Sequence, residues 1–457
     1  MHYILFFLPS LISQFTTDSK YTYLVSWFGS ILLIIYSIYI DYKSNGKKLR
    51  FFSPLILSQG LFWGYTAITS IFYFLDQLGY EYFERVNIPN VFELEAIANT
   101  QRYIVFGHAA YLFGYFLYRK KPENTPEYQF DFDNNTYLKL SIGAILAAVV
   151  LHKSPFPQLS NYLSIFSTIC AVKFFGYSFE NRQVLFKAFL YFMCVMIVGF
   201  LSGMKENTVF PLIYLAVILY DKYGIKRTSL VFLPLIFVYF YFIPTINGVV
   251  RNSAWYQNKS SLETLTDLKD ANIYDAERIR SNNWAFLTTR LSEISMLNRY
   301  IESVPNHRPY YGLEIYKYGI MTLIPRIVWP GKQSPDVTAQ QRAVENGALV
   351  LNSPDDFTSA KPQTIADAYM SYGYISIFFT FLIYGYLVNF LAVLLERKLG
   401  YDFGVSILFY SLFSVLSRGG CFENLFNTTF YGFVLIFVTI HILKRINLIT
   451  LTPQHAN

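Results

Sequence analysis

The sequence predicts an all-α polytopic membrane protein with about 12 transmembrane helices and one large, partly helical segment outside the bilayer. Of its 457 residues, 53% are hydrophobic and only 15% are charged, whereas soluble domains usually carry about 25% charged residues. Apolar runs long enough to enter a bilayer recur along most of the chain. This pattern indicates a bundle of membrane-spanning helices.

The apolar runs predict eleven or twelve spans, depending on whether the first run, residues 3–17, crosses the membrane. This run resembles a signal-peptide core, but it lacks a basic start and a clear cleavage site, so we interpret it as a retained span. Several runs are shorter than the roughly 20 residues that a perpendicular helix needs. The other predicted spans are residues 21–40, 51–75, 103–118, 137–152, 158–178, 185–201, 207–222, 229–246, 372–395, 403–418 and 425–443.

Basic residues in the short connections predict the orientation of the spans. They concentrate in every second connection, and the positive-inside rule places that set in the cytoplasm. Much of the net charge of +7 therefore has a topological origin, and we do not interpret it as a nucleic-acid-binding signal. The basic-rich set comprises Lys43, Lys47, Lys48, Arg50, Arg119, Lys120, Lys121, Arg182, Lys187, Lys222, Lys226, Arg227, Arg397, Lys398, Lys444 and Arg445.

This topology divides the chain into three parts. Residues 1–246 form a bundle of about nine spans, residues 247–371 form one long segment on the outer side, and residues 372–457 hold about three spans and a short cytoplasmic tail. The long segment carries thirteen basic and thirteen acidic residues. Its net charge is therefore zero, and any function must depend on where individual groups are placed.

Periodic apolar residues predict that the long segment is folded. Pro325 is expected to end one of its amphipathic helices. The predicted face of another helix carries Val337, Gln340, Val344 and Ala348. Pro362 suits the first turn of a further helix that leads into the next span. The predicted amphipathic helices are residues 288–304, 313–324 and 337–350.

The stretch LIPRIVWPGKQSP, residues 323–335, sets Arg326 and Trp329 between two prolines and places Lys332 just beyond them. Trp and Arg commonly anchor helices at headgroup depth, and anchoring explains each residue singly. A rigid turn that fixes an Arg and a Lys also fits a phosphate clamp, because Arg offers a planar fork and Lys a point charge. The residues alone leave both interpretations open.

The run PRIVWPGK, followed by TIADAYMSYGYISIFF, is similar to sequences of bacterial oligosaccharide repeat-unit polymerases, the Wzy-type O-antigen and capsule polymerases. Those proteins often carry Pro-Arg-x-x-Trp-Pro-x-Lys in a large periplasmic loop, among ten to fourteen spans. The specific likeness covers residues 323–375. The family often has Glu before the Tyr of the second element, whereas here Ala368 separates Asp367 from Tyr369.

The resemblance implies a GT-C-like glycosyltransferase in the bacterial inner membrane, with its site facing the periplasm. We expect a metal-independent enzyme without a cofactor, because the sequence contains no nucleotide-binding loop or metal-binding motif. The glycan on undecaprenyl pyrophosphate would be transferred to a new lipid-linked repeat unit, to extend an O-antigen or capsular polysaccharide. A polysaccharide chain-length regulator is implied as a partner. Such a site needs cations for the leaving pyrophosphate and a group that takes the proton of the acceptor hydroxyl.

Cations near the outer ends of the spans are the first candidates for this site. Arg251, Arg326 and Arg418 all fall close to such ends. Snorkelling to the interface would explain Arg251 or Arg418 alone, but three cations on one face favour a shared site. The predicted catalytic residues are Arg326, Asp367 and Arg251, and the predicted substrate-binding residues are Lys332, Arg290, Arg418, Trp329 and Glu423.

Asp367 is the preferred candidate for the base, because it lies one turn before a span, where partial burial raises a carboxyl pKa. The alternative is an exposed helix carboxylate favoured by the helix dipole. Glu423 is close in sequence to Arg418, and an ion pair between them would explain both. His307 lies in a proline-flanked loop, and Lys173 is expected to snorkel from the cytoplasmic end of its span.

Other function classes find less support in the sequence. It contains no Walker loop, dinucleotide fingerprint, His-x-x-x-His pair or Gly-x-Ser-x-Gly elbow, and its three cysteines suggest no disulfide framework or metal site. An O-antigen ligase would share the outer segment and its arginines. A lipid-linked oligosaccharide flippase should show internal repeats, which we do not find.

Overall fold

The structure is a computed structural model of a predominantly helical chain. It divides into two compact units, one formed by residues 1–129 and 287–457 and the other by residues 130–286. The predicted three-part division by membrane topology stays a prediction. The structure describes residues 2–46, 49–51, 53–81, 85–86, 91–118, 126–130, 133–152, 157–201, 206–253, 257, 259–271, 275–291, 293–325, 328–349, 361–408 and 420–452.

Within these residues, seven helices are long and apolar enough to cross a membrane. The prediction of an all-helical membrane protein is therefore confirmed, while the count of about 12 spans and the GT-C-like arrangement stay predictions. The seven helices are Ser19–Ser44, Pro54–Gln77, Asn134–His152, Arg182–Phe200, Asn207–Phe237, Tyr374–Tyr401 and Phe422–Arg445.

The first unit is built around the helix Val91–Leu117, most of whose residues are buried. This helix packs so closely against Tyr374–Leu408 that only glycine fits at two positions of the contact. A Cβ at Gly114 would overlap the backbone of Leu382, and a Cβ at Gly385 would overlap that of Tyr111. The other helices of the unit are His2–Phe7, Leu8–Gln14, Ser19–Ser44, Pro54–Ser58, Gln59–Ile68, Ser70–Gln77, Phe286–Leu291, Ile294–Ser303, Glu314–Met321, Pro335–Glu345, Thr364–Tyr372 and Phe422–Arg445, and its short strands are Tyr80–Glu81, Arg85–Val86, Tyr128–Phe130 and Ile449–Leu451.

The second unit contains one long helix, Glu206–Arg251, which is interrupted at Gly224, where φ is 75°. The interruption falls between the predicted spans 207–222 and 229–246. Lys173 is fully buried, and its ammonium lies 5.6 Å from the ring centre of Tyr177, so the expected snorkelling is wrong. The other helices are Asn134–His152, Pro157–Ser178, Arg182–Leu201, Ser261–Asp270 and Ala276–Ala285.

The amphipathic helices of the long segment are confirmed, with different boundaries. The first predicted helix is broken before Ile294, where Glu293 adopts a left-handed φ of 50°, and the second ends at Met321. The third, Pro335–Glu345, buries the predicted face only in part, at Gln340. Val337 is 45% exposed, whereas Ala339, Gln340, Arg342, Ala343 and Asn346 are buried.

Pro362 lies before the helix that it was expected to start. The N-cap of that helix is Gln363, and the helix runs from Thr364 to Tyr372. Gly373 follows with a φ of 59° and separates this helix from the apolar helix Tyr374–Leu408. The amphipathic helix and the span are therefore two elements joined by a glycine hinge.

Candidate functional site

The first unit contains a buried ion cluster formed by Arg342, Asp367 and Glu423, whose side chains are 3%, 0% and 1% exposed. The guanidinium of Arg342 donates through Nε to Asp367 Oδ1 and through Nη2 to Asp367 Oδ2, both at 3.2 Å. It also donates to both carboxylate oxygens of Glu423, with 2.7 Å between Nη2 and Oε2. One cation therefore holds two carboxylates in paired, planar geometry.

Three helices bring these groups together at their ends. Arg342 lies on Pro335–Glu345, Asp367 lies in the first turn of Thr364–Tyr372, and Glu423 lies in the first turn of Phe422–Arg445. The backbone N–H of Phe422 donates to Asp367 Oδ2 at 2.8 Å. Asp367 thus caps the start of a different helix, where unpaired N–H groups favour a negative charge.

The ionised cluster has a net charge of about −1, because two carboxylates share one guanidinium. The pKa of Asp367 is raised to about 7, chiefly by burial. The positive charge of Arg342 lowers this pKa, and the negative charge of Glu423 raises it. Burial acts to lower the pKa of Arg342, but the attraction of Asp367 and Glu423 prevails and raises it. Arg342 therefore remains charged, while burial favours the protonated form of Asp367.

The segment 322–338, here called the motif loop, comprises the loop with the motif and the first turn of the helix Pro335–Glu345, and its residues 326 and 327 lie outside the described residues. Both ends of this segment are bonded to Glu423. The hydroxyl of Thr322 donates to the backbone carbonyl of Glu423 at 3.3 Å, and the hydroxyl of Thr338 donates to Glu423 Oε1 at 3.1 Å. The hydroxyl of Tyr431, two turns further along the same helix, donates to the carbonyl of Leu323 at 3.1 Å. The position of the loop is thus set by the start of Phe422–Arg445.

The motif loop contains the expected tight turn. The carbonyl of Pro325 accepts from the N–H groups of Val328 and Trp329 at 3.0 and 3.1 Å. The ammonium of Lys332 donates to the carbonyls of Thr322 and Ile324 at 3.0 and 2.6 Å, which closes the loop onto its own beginning. Val328 is 73% exposed and Trp329 is 40% exposed, so an apolar tip projects beyond this closure.

The remaining predicted site residues fall wholly or partly outside the described residues. Arg326 and Arg418 lie outside them. For Arg251 and Arg290 the structure describes the helical backbone, in Glu206–Arg251 and Phe286–Leu291, and not the side chain. Their convergence on one site therefore stays a prediction. His307 is exposed, and its Nδ1 lies 3.3 Å from the carbonyl of Glu302.

Two of the predicted acidic residues meet in the cluster, although the sequence suggested separate surroundings for them. The alternative of an exposed helix carboxylate is wrong for Asp367, which is fully buried. Glu423 pairs with Arg342, which the sequence analysis did not single out. A signal was present, since Ala339 and Ala343 flank Arg342 on a helix face of small residues that permits close packing.

No group of three or more His, Cys, Asp or Glu side chains suited to a metal ion occurs among the described residues. Asp367 accepts three hydrogen bonds, two from Arg342 and one from Phe422. A carboxylate bonded in this way and closed to solvent fixes the elements around it. Val328 and Trp329, at the tip of the motif loop, are exposed.

A family model described as a domain of unknown function, DUF8712, matches residues 6–451. The chain belongs to the DUF8712 family. The match includes both compact units, so the ion cluster and the motif loop are parts of the DUF8712 domain itself. No curated protein and no solved structure matches the chain.

Proposed function

We propose that this protein is a membrane-embedded glycosyltransferase that polymerises oligosaccharide repeat units carried on undecaprenyl pyrophosphate. It would transfer the growing glycan onto a new lipid-linked unit at the periplasmic face of the inner membrane. The observation that carries the proposal is the attachment of the motif loop, with its Pro-Arg-x-x-Trp-Pro-x-Lys sequence, to the first turn of the apolar helix Phe422–Arg445. An apolar helix starts at the depth of lipid phosphates.

The proposal gives the cations of the motif loop different tasks. Arg326 binds the leaving pyrophosphate, because its planar fork matches two phosphate oxygens as negative charge develops there. Lys332 already donates to two carbonyls of the loop, so it supports the shape of the loop and adds positive potential. Trp329, which is 40% exposed, offers an aromatic face to headgroups or sugars.

Asp367 has a structural task in this proposal. It is fully buried and its carboxylate is saturated by Arg342 and Phe422, so it has no free direction toward an acceptor hydroxyl. Its role as a general base stays a prediction that requires the ion cluster to open.

The first experiment replaces the native protein by Arg326→Ala in the source bacterium and resolves the surface glycan as a ladder on a gel. The matched control is Arg299→Ala, which removes an arginine whose partner is Glu302, in a pair more than half exposed. We expect the Arg326 variant, at equal membrane abundance, to lose long chains and keep a single repeat unit on its acceptor. The control should keep the full ladder.

The other outcomes separate the alternatives. Loss of the single repeat unit as well would favour an O-antigen ligase or a flippase, because both act before or at attachment to the acceptor. An unchanged ladder would contradict the assignment of Arg326 and leave interfacial anchoring as the explanation of the motif.

A further inference from the structure

We propose that Arg342 is a positioning residue that holds the motif loop through Glu423, and that this hold is tighter when Asp367 carries a proton. The hold on the loop is independent of any activity. Its catalytic consequence rests on the function proposed above.

Arg342 fixes the orientation of the Glu423 carboxylate. Both oxygens of that carboxylate accept from the same guanidinium, whose other edge is bonded to Asp367. A guanidinium is planar and has five N–H donors in fixed directions. A lysine ammonium at this position could satisfy the charge, but it could not bond both carboxylates in pairs.

Glu423 transmits this orientation to the motif loop. Its Oε1 accepts from both Arg342 and Thr338, so the position at which Thr338 docks depends on how Arg342 holds the carboxylate. Removal of Arg342 would leave two buried carboxylates facing each other without a cation. Glu423 would then turn away from Asp367, and the end of the motif loop at Thr338 would lose its acceptor geometry.

The proton on Asp367 changes how Arg342 is shared. The charged groups facing Asp367 are Arg342 and Glu423, and the neutral titratable groups near it are Tyr300, Tyr316 and Cys421. When Asp367 is ionised, two carboxylates compete for one guanidinium. When Asp367 is protonated, Glu423 forms a neutral pair with Arg342, and the carboxylate repulsion that loosens Glu423 disappears.

The test measures access to the tip of the motif loop by cysteine labelling. Val328→Cys places a thiol at the tip, which is 73% exposed. It is made together with Cys194→Ser, because the other two native cysteines, Cys170 and Cys421, are buried. Labelling by a membrane-impermeant maleimide is expressed as a ratio to that of Leu313→Cys, which is 68% exposed outside the loop. The ratio cancels the effect of pH on maleimide chemistry.

In this background, Arg342→Met should raise the labelling ratio several-fold, and Arg342→Lys should raise it less. Thr338→Val, which removes one hydroxyl and leaves the ion cluster intact, should raise it as well. The matched control is Arg308→Met, which breaks an ion pair to Glu345 of 2.7 Å in the same unit and should leave the ratio unchanged. With Arg342 present, the ratio should be lower at pH 6 than at pH 8, and Asp367→Asn should abolish that difference.

An unchanged ratio in Thr338→Val and in a folded Arg342→Met would overturn the inference. If Arg342→Met fails to fold, Thr338→Val and the pH dependence of the parent decide, since neither removes a member of the ion cluster. The glycan ladder of Thr338→Val is then recorded beside that of Arg308→Met. A raised labelling ratio with an unchanged ladder would establish the hold on the loop and contradict the proposed polymerase function.

Discussion

Thr338 and Arg342, one turn apart on the same helix, donate to the same carboxylate oxygen of Glu423. The bond from Thr338, at 3.1 Å, fixes the first helical turn, in which the motif loop ends, whereas the bond from Arg342 belongs to the buried ion cluster. A surface loop and an interior ion network therefore share one acceptor atom. Changes in the protonation or charge of the interior reach the loop through this atom.

Replacement of Arg342 should strongly destabilise the protein. Removing one partner of a buried ion pair leaves uncompensated charge and costs about 3 to 5 kcal/mol, so Arg342→Met should lower the unfolding temperature in detergent by many degrees. Arg299→Met, at a pair more than half exposed, should change the free energy of unfolding by less than about 1 kcal/mol. Equal unfolding temperatures for the two variants would contradict a stabilising role of the cluster.

Stability should fall as pH rises toward and through neutrality. Burial holds the pKa of Asp367 at about 7 in the folded chain, against 3.8 for the unperturbed group. Between these values the folded state binds a proton that the unfolded state releases. The contribution of Asp367 is therefore complete below the unfolded pKa and is lost as pH rises through about 7. Unfolding temperatures recorded between about pH 4.5 and 8 measure this loss of stability.

Asp367→Asn provides the matched comparison for that titration. Because the amide does not titrate, the difference in unfolding temperature between the native protein and the variant should change with pH only across this window. A constant difference would mean that Asp367 keeps one protonation state in the folded protein throughout.

The contact between the helices Val91–Leu117 and Tyr374–Leu408 should not tolerate a methyl group at its centre. Gly114→Ala would bring Cβ against the backbone of Leu382, and overpacking of this kind costs about 1 to 3 kcal/mol. Gly143→Ala, in a helix position with open space around it, should be neutral or stabilise by up to about 1 kcal/mol. Thermal unfolding of both variants tests the close approach, and an unaffected Gly114 variant would refute it.

The predicted orientation can be tested with thiols at two sites. Val328→Cys should react with an impermeant maleimide in cells whose outer membrane alone is permeabilised, because the motif loop is predicted to face the periplasm. Ile446→Cys, 54% exposed at the end of Phe422–Arg445, should react only after the inner membrane is opened. The reverse pattern would show that the positive-inside assignment is inverted.

Local features of this fold were predictable from the sequence because they depend on neighbouring residues. Apolar runs and helical spacing indicated the spans and the amphipathic helices of the long segment, and two prolines indicated the turn near Pro325. The buried face of Pro335–Glu345 was not predictable in this way. Its partners are distant in sequence, and small residues with one arginine, not Val337 and Val344, pack against them.

The ion cluster was missed for the same reason. Arg342 lies 25 positions from Asp367 and 81 positions from Glu423, so no local spacing relates them. The sequence allowed Asp367 to be an ordinary helix-terminal carboxylate, a role that the helix dipole favours, and it suggested Arg418 as the partner of Glu423. Only the packing of three helix ends shows that Asp367 and Glu423 compete for one guanidinium.

The cap that Asp367 provides for Phe422 has a consequence for biogenesis. Arg342 and Asp367 are both synthesised before the last apolar helix begins, and alone they form a pair without surplus charge. Glu423 arrives with that helix and adds the second carboxylate, while the N–H of Phe422 gains its acceptor in the same step. The completed cluster therefore marks a chain whose last apolar helix has docked. A chain truncated before residue 420 would keep the pair of Arg342 and Asp367 and would lack the acceptors that Glu423 offers to the motif loop.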